Sequence, residues 1–191
     1  MQFMSSPDEK NTSFRTCTLA CLLFFLLYMH GCASHDPPPK MVFAKDAITI
    51  KYKADPQLNM VNNQPHSLLL VVYQLSSVNA FNNYTGYRDG LVKLLDGELF
   101  DKSVTAVHKY FIEPGSHNVL VMDRAEHTKH VAIVGGFNDL IPEKCSVVAN
   151  ITTSTHRHGL LLAKKTTVDP LTIDLILGKE GMRIETENND S

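Results

Sequence analysis

LLLVVYQL, residues 68–75, is the stretch on which the fold turns. It is nearly continuous apolar sequence of strand length, and Ser76-Ser77 ends it, which predicts a central strand buried on both faces. Upstream, from Lys45 to Ala54, Ala47, Thr49, Lys51 and Lys53 alternate with Ile48, Ile50, Tyr52 and Ala54, the pattern of a half-buried strand. Asp55-Pro56 stops that strand. The segment between the two strands, QLNMVNNQPH over 57–66, is rich in Asn and holds a second proline, so it reads as a loop longer than a hairpin needs. Its apolar Leu58, Met60 and Val61 either fold back onto the core or face a partner, and long loops are frequent binding elements.

Downstream, Val78 to Tyr87 mixes Asn79, Asn82, Asn83 and Gly86 with Phe81, Tyr84 and Tyr87, and it reads as an ordered loop whose rings cover an edge of the core. Leu91, Val92, Leu94, Leu95, Leu99 and Phe100 suit one or two short helical turns, interrupted by Gly97, packed on a sheet. The remainder repeats one pattern. Apolar segments around Val104–Ile112, Asn118–Met122, Val131–Phe137, Ser146–Thr152, Leu160–Ala163 and Leu171–Leu177 are separated by turn punctuation such as Pro114-Gly115 and Asp169-Pro170. Seven to nine strands with almost no helix predict an all-β, antiparallel two-sheet β-sandwich with a small helical addition.

The amino-terminal part has a different character. Thirteen uncharged residues from Cys17 to Met29 follow Lys10 and Arg15 and lead through His30 and Gly31 to Cys32. As a helix they reach about 20 Å, short of a bilayer core of roughly 30 Å, so a signal peptide is expected over 1–31 in place of a spanning anchor. Gly31 before Cys32 resembles the bacterial lipobox, which makes Cys32 the expected lipidation site. Two or more acyl chains hold a protein durably on a membrane. Ala33 after the cysteine implies the outer membrane, periplasmic face, as the destination. Residues 32–44, with Pro37-Pro38-Pro39, read as a stiff tether, 45–184 as the sandwich domain, and 185–191 as a polar, disordered tail.

Composition narrows the function classes. The net charge of −2 gives no electrostatic case for nucleic acid. With Cys17 and Cys21 in the signal and Cys32 lipidated, Cys145 stands alone in the body, so no internal disulfide is expected and a buried, inert thiol is. The nine histidines include His127 with His130 and His156 with His158, but none sits in an accepted ligand motif. No G-x-S-x-G turn and no phosphate-binding glycine loop occur. The chain is therefore expected to be no enzyme, to take no metal, and to need no cofactor besides the covalent lipid on Cys32. A lipid-anchored periplasmic ligand-binding β-sandwich, using Phe81, Tyr84 and Tyr87 or the histidines, is the alternative reading.

In order along the chain stand the lipobox, a strand, Leu58-Asn59 in a loop, LLLVVYQLSSVNAF, Leu91 to Leu95, Ile112-Glu113-Pro114-Gly115 and Val131 to Phe137. This order resembles the TssJ family (VasD/Lip-like), outer-membrane lipoproteins of the type VI secretion system. The resemblance implies a transthyretin-like sandwich that anchors a trans-envelope complex with TssL and TssM by binding the periplasmic domain of TssM. It also implies a partner-binding loop between the first two strands, here Leu58, Asn59, Met60, Val61, Asn62, Asn63 and Gln64. Apolar residues within a polar loop are what a small interface core with a hydrogen-bonding rim requires.

Overall fold

The computed structural model of the protein describes residues 39–158 and 163–185. The strand on which the prediction rests forms as read: β2 runs Leu68–Leu75, between β3 (Val104–Ile112) and β5 (His130–Gly135), antiparallel to both. β6 (Ser146–Asn150) completes this sheet, ordered β3-β2-β5-β6. β1 (Ala44–Ala54), β4 (His117–Arg124), β9 (Leu171–Leu177) and β10 (Met182–Ile184) form the second sheet in the order β10-β9-β1-β4. In β1, Ile48, Ile50 and Ala54 are buried while Lys51 and Lys53 are exposed, as the alternation predicts. Between the sheets the core gathers Ile48, Ile50, Ile173, Leu175 and Met122 with Leu70, Val72 and Ile133.

Both faces of β2 are covered because the sheet carries a third layer. Gln74 faces the second sheet, where its side-chain amide donates to the Asp123 carbonyl (2.8 Å) and its oxygen accepts from the Ala125 N–H (2.8 Å) and the Thr128 hydroxyl (3.1 Å). Tyr73 points the other way, into two short helices, α1 (Asn79–Thr85) and α2 (Arg88–Leu95), and its hydroxyl donates to the Leu94 carbonyl at 2.6 Å. Tyr73 meets Phe100 edge-on at 5.1 Å, and Tyr84 meets the same ring at 5.3 Å. The segment expected as an ordered loop over Val78–Tyr87 is therefore mostly α1. Its asparagines favour helix weakly, and burial of Phe81 supplies what local propensity lacks.

The strand count exceeds the seven to nine expected. β7 (Thr153–His158) and β8 (Ala163–Val168) pair as a separate two-stranded hairpin, and β10 spans three residues. Of the apolar strand expected around Leu160–Ala163, Ala163 opens β8 and Leu160, Leu161 and Leu162 lie outside the described residues. One pair departs from the antiparallel pattern: β1 and β9 run parallel, Ile48 beside Leu171 through Ala54 beside Leu177. Parallel neighbours need a long connection, and here it is supplied by the seven intervening strands, of which β2, β3, β5 and β6 form the other sheet. Cys145 is buried, and burial pushes its thiol pKa up, away from the reactive thiolate.

Candidate functional site

The loop joining β1 to β2 opens with an Asx turn. The Asp55 carboxylate accepts from the Gln57 N–H (2.7 Å), its carbonyl accepts from the Leu58 N–H (2.9 Å), and its own N–H donates to the Leu177 carbonyl (2.8 Å). Leu58 is then driven fully into the core. Asn59 follows it inward with a left-handed backbone (φ 48°). Its side chain donates to the Ser67 carbonyl (3.1 Å) and accepts from the Asn138 N–H (2.8 Å), so it braces the base of the loop against the β5–β6 connection. Met60 and Val61 stay half-buried at the surface, and Asn62, Asn63 and Gln64 are exposed.

The tip has one geometry. Val61 and Gln64 exchange both backbone hydrogen bonds at 2.9 Å around Asn62 and Asn63, whose φ angles are 49° and 62°. Two central residues with positive φ make a two-residue turn of type I′, for which asparagine is a favoured occupant. The Met60 N–H reaches the Lys179 carbonyl at 3.4 Å, and the Gly115 N–H reaches the Asp55 carbonyl at 3.1 Å. The loop is thus seated among the β3–β4, β5–β6 and β9–β10 connections, all at one end of the sandwich. Between Gln57 and Gln64 it carries no charged residue, so it offers a partner thioether and aliphatic surface plus neutral amides.

The sequence could not say which apolar loop residues turn inward; the structure sends Leu58 in and leaves Met60 and Val61 out. The I′ turn was not anticipated, although an Asn-Asn pair between apolar residues is a signal for it. Cys32, the expected lipidation site, lies outside the described residues. Phe81 is core and Tyr84 packs on Phe100, while Tyr87 is exposed, so the three rings do not converge on a pocket. An open groove of about 410 Å³ lies instead between β3 and β4, lined by Phe43, His108, Tyr110, Val121 and Met122. The His130 ring pairs with the Asn150 side chain at 2.7 Å, and among the described residues no three His, Cys, Asp or Glu are placed to hold a metal ion.

Residues 46–180 match the family model T6SS-SciN, described as type VI secretion lipoprotein, VasD, EvfM, TssJ, VC_A0113. The chain belongs to this family. Type VI secretion lipoproteins are components of a secretion system and not a family of enzymes. Solved structures agree in fold. Lip of Serratia marcescens, a membrane-bound component of the type VI secretion system, superposes with a TM-score of 0.58 at 17% identity, covering 73% of this chain and 97% of its own. The lipoprotein TssJ1 of Pseudomonas aeruginosa gives 0.54 at 17% identity, covering 74% and 96%. A chain of a structure named type VI membrane complex gives 0.53 at 15% identity, covering 75% and 100%. No curated protein matches the chain.

Proposed function

We propose that this type VI secretion lipoprotein is the outer-membrane anchor of the trans-envelope complex, and that it binds the periplasmic domain of TssM through the β1–β2 loop, within an assembly that includes TssL. Acyl chains on Cys32, exposed by removal of residues 1–31, hold it to the periplasmic face of the outer membrane. Residues 32–44 space the sandwich of 45–184 from the lipid. The observation that carries the reading is the rigidity and neutrality of the loop. Leu58 and Asn59 fix its base, the I′ turn fixes its tip, and Met60 and Val61 remain at the surface between them. A loop already held in one conformation loses little freedom on binding, which favours affinity.

The test is a pull-down from detergent-solubilised envelopes of cells that make the full apparatus, comparing tagged wild type with Met60→Asp. Wild type is expected to recover TssM. The variant, with a carboxylate in the centre of the contact, is expected to lose it by tenfold or more, taking about 1.4 kcal/mol per tenfold, while its thermal unfolding stays close to wild type. Equal recovery by both would move the interface off this loop.

A further inference from the structure

We propose that the open side of the sandwich, between β3 and β4, takes up an extended segment of a partner protein that pairs with the edge of β3 and places a basic side chain beside Asp46 and Asp123. None of these residues belongs to the β1–β2 loop, so the site is separate from the contact proposed above. Both sheets end here: β3 is the last strand of one and β4 the last of the other, and among the described residues no strand lies beyond either. An uncovered edge presents unpaired backbone donors and acceptors, a template for one more strand. Of the two edges, β3 is the free one. The Gly136 N–H donates to the Leu69 carbonyl and the Ser76 N–H to the Ser103 carbonyl, so odd-numbered residues of β2 turn their backbone groups toward β5 and even-numbered ones toward β3. Leu70, Val72 and Gln74 thereby satisfy Tyr110, His108 and Ala106, and the backbone groups of Val107, Lys109 and Phe111 point outward. On β4 the Asp123 carbonyl and the Ala125 N–H are already bound by the Gln74 side chain.

The groove beside that edge selects for a cation. Asp46 and Asp123 line it, and no Lys or Arg does. Between Ala44 and Ile48 the register of β1 on β4 shifts, Asp46 takes a left-handed backbone (φ 51°), and its N–H donates to Asp123 Oδ1 at 2.9 Å. Such an irregularity re-aims side chains, and here it sets the two acidic residues together at the groove. The ion pairs among the described residues are Lys51 with Asp174 and Lys144 with Glu180, so neither groove carboxylate is neutralised by one. The rings of His108 and Tyr110 stack with centroids 6.5 Å apart and planes at 21°, and Phe43 adds a third ring. A Lys or Arg side chain beside carboxylates and aromatic faces gains charge-assisted hydrogen bonds and cation–π attraction together. Val121, 52% exposed, offers apolar contact to a neighbouring side chain of the same segment. A small cation would use the groove alone, whereas a peptide in extended conformation uses the groove and the β3 edge.

The test selects peptides from a displayed random library on the full-length protein in detergent, with the double variant Asp46→Asn, Asp123→Asn as comparison. Asparagine tolerates the left-handed backbone at 46 and keeps an Oδ1 acceptor at 123, so the double variant is expected to retain the thermal transition of wild type. Enriched peptides are expected to carry Lys or Arg with a β-branched or aromatic residue two positions away, on the same face of a strand. A labelled selected peptide is expected to bind the double variant at least tenfold more weakly by fluorescence anisotropy. A second readout uses wild type alone: with that peptide bound, amide hydrogen exchange is expected to slow across β3 and not across β6, the opposite edge of the same sheet. No enrichment over a blank support, or peptides that bind both proteins alike, would overturn the proposal. Exchange that is unchanged in β3 while the peptide is bound would overturn the strand pairing.

Discussion

Asn62 and Asn63 hold backbone that β-branched side chains resist, and this makes the tip of the proposed contact sensitive to single changes. Valine at 63 would sit in left-handed conformation at a cost of about 1–2 kcal/mol, whereas glycine adopts it freely. Asn63→Val is therefore expected to lower stability in urea by about that amount and Asn63→Gly to leave it near wild type; equal stability of both would mean that the turn rearranges. Tyr73 provides a second residue-level test. Burial, followed by the nearby Asp96 carboxylate, pushes its pKa from 10.0 up to about 12. Between those values the unfolded chain gives up the proton before the folded one, so the folded state holds more protons and stability falls as pH rises. Tyr73 is thus expected to add no slope below pH 10 and to cost about 2–3 kcal/mol cumulatively by pH 12 and above. Tyr73→Phe should flatten that part of the profile and lose about 1 kcal/mol at neutral pH with the hydrogen bond to Leu94. Parallel pH profiles of wild type and variant in urea would overturn the assignment.

Among the elements, β2 is the one that joins three layers, and Gln74 is where it grips the neighbouring sheet. Gln74→Leu preserves volume but leaves the Ala125 N–H, the Thr128 hydroxyl and the Asp123 carbonyl without their partner. A loss of at least about 1–3 kcal/mol is expected, read as a lower urea midpoint; an unchanged midpoint would mean that other groups or water replace the amide. The extent of β2 was legible because a nearly continuous apolar run of eight residues between turn signals has one reading whichever face is buried. Alternation made β1 legible for the same reason. α1 was not legible, since NAFNNYT gives no helical stripe beyond Phe81 and Tyr84, and the ring of Phe100 that holds it is distant in sequence. β7 and β8 were missed because TSTHRH and AKKTTV have no apolar alternation, and β10 because three residues carry no period. In the candidate loop, composition identified the segment. The inward turn of Leu58 and Asn59 depended on Ser67 and Asn138, which local sequence does not bring into view.

For the whole molecule, the neutral β1–β2 loop and the amino-terminal entry of the chain into β1 lie at opposite ends of the sandwich. Cys32→Ser tests the anchoring that this polarity would serve. The variant is expected to keep the thermal transition of the sandwich, to leave the outer-membrane fraction on flotation, and to fail to support secretion; retained flotation would refute lipidation there. The parallel pairing of β1 with β9 also governs when the protein can fold. β1 is the first strand of the described chain and β9 the last but one, yet they are neighbours in the middle of one sheet. Until β9 is available, β1 can pair only with β4 and one of its edges stays unsatisfied. Contacts so distant in sequence are closed late and slowly. A chain delivered amino terminus first can therefore close the β3-β2-β5-β6 sheet while the β10-β9-β1-β4 sheet still waits for β9.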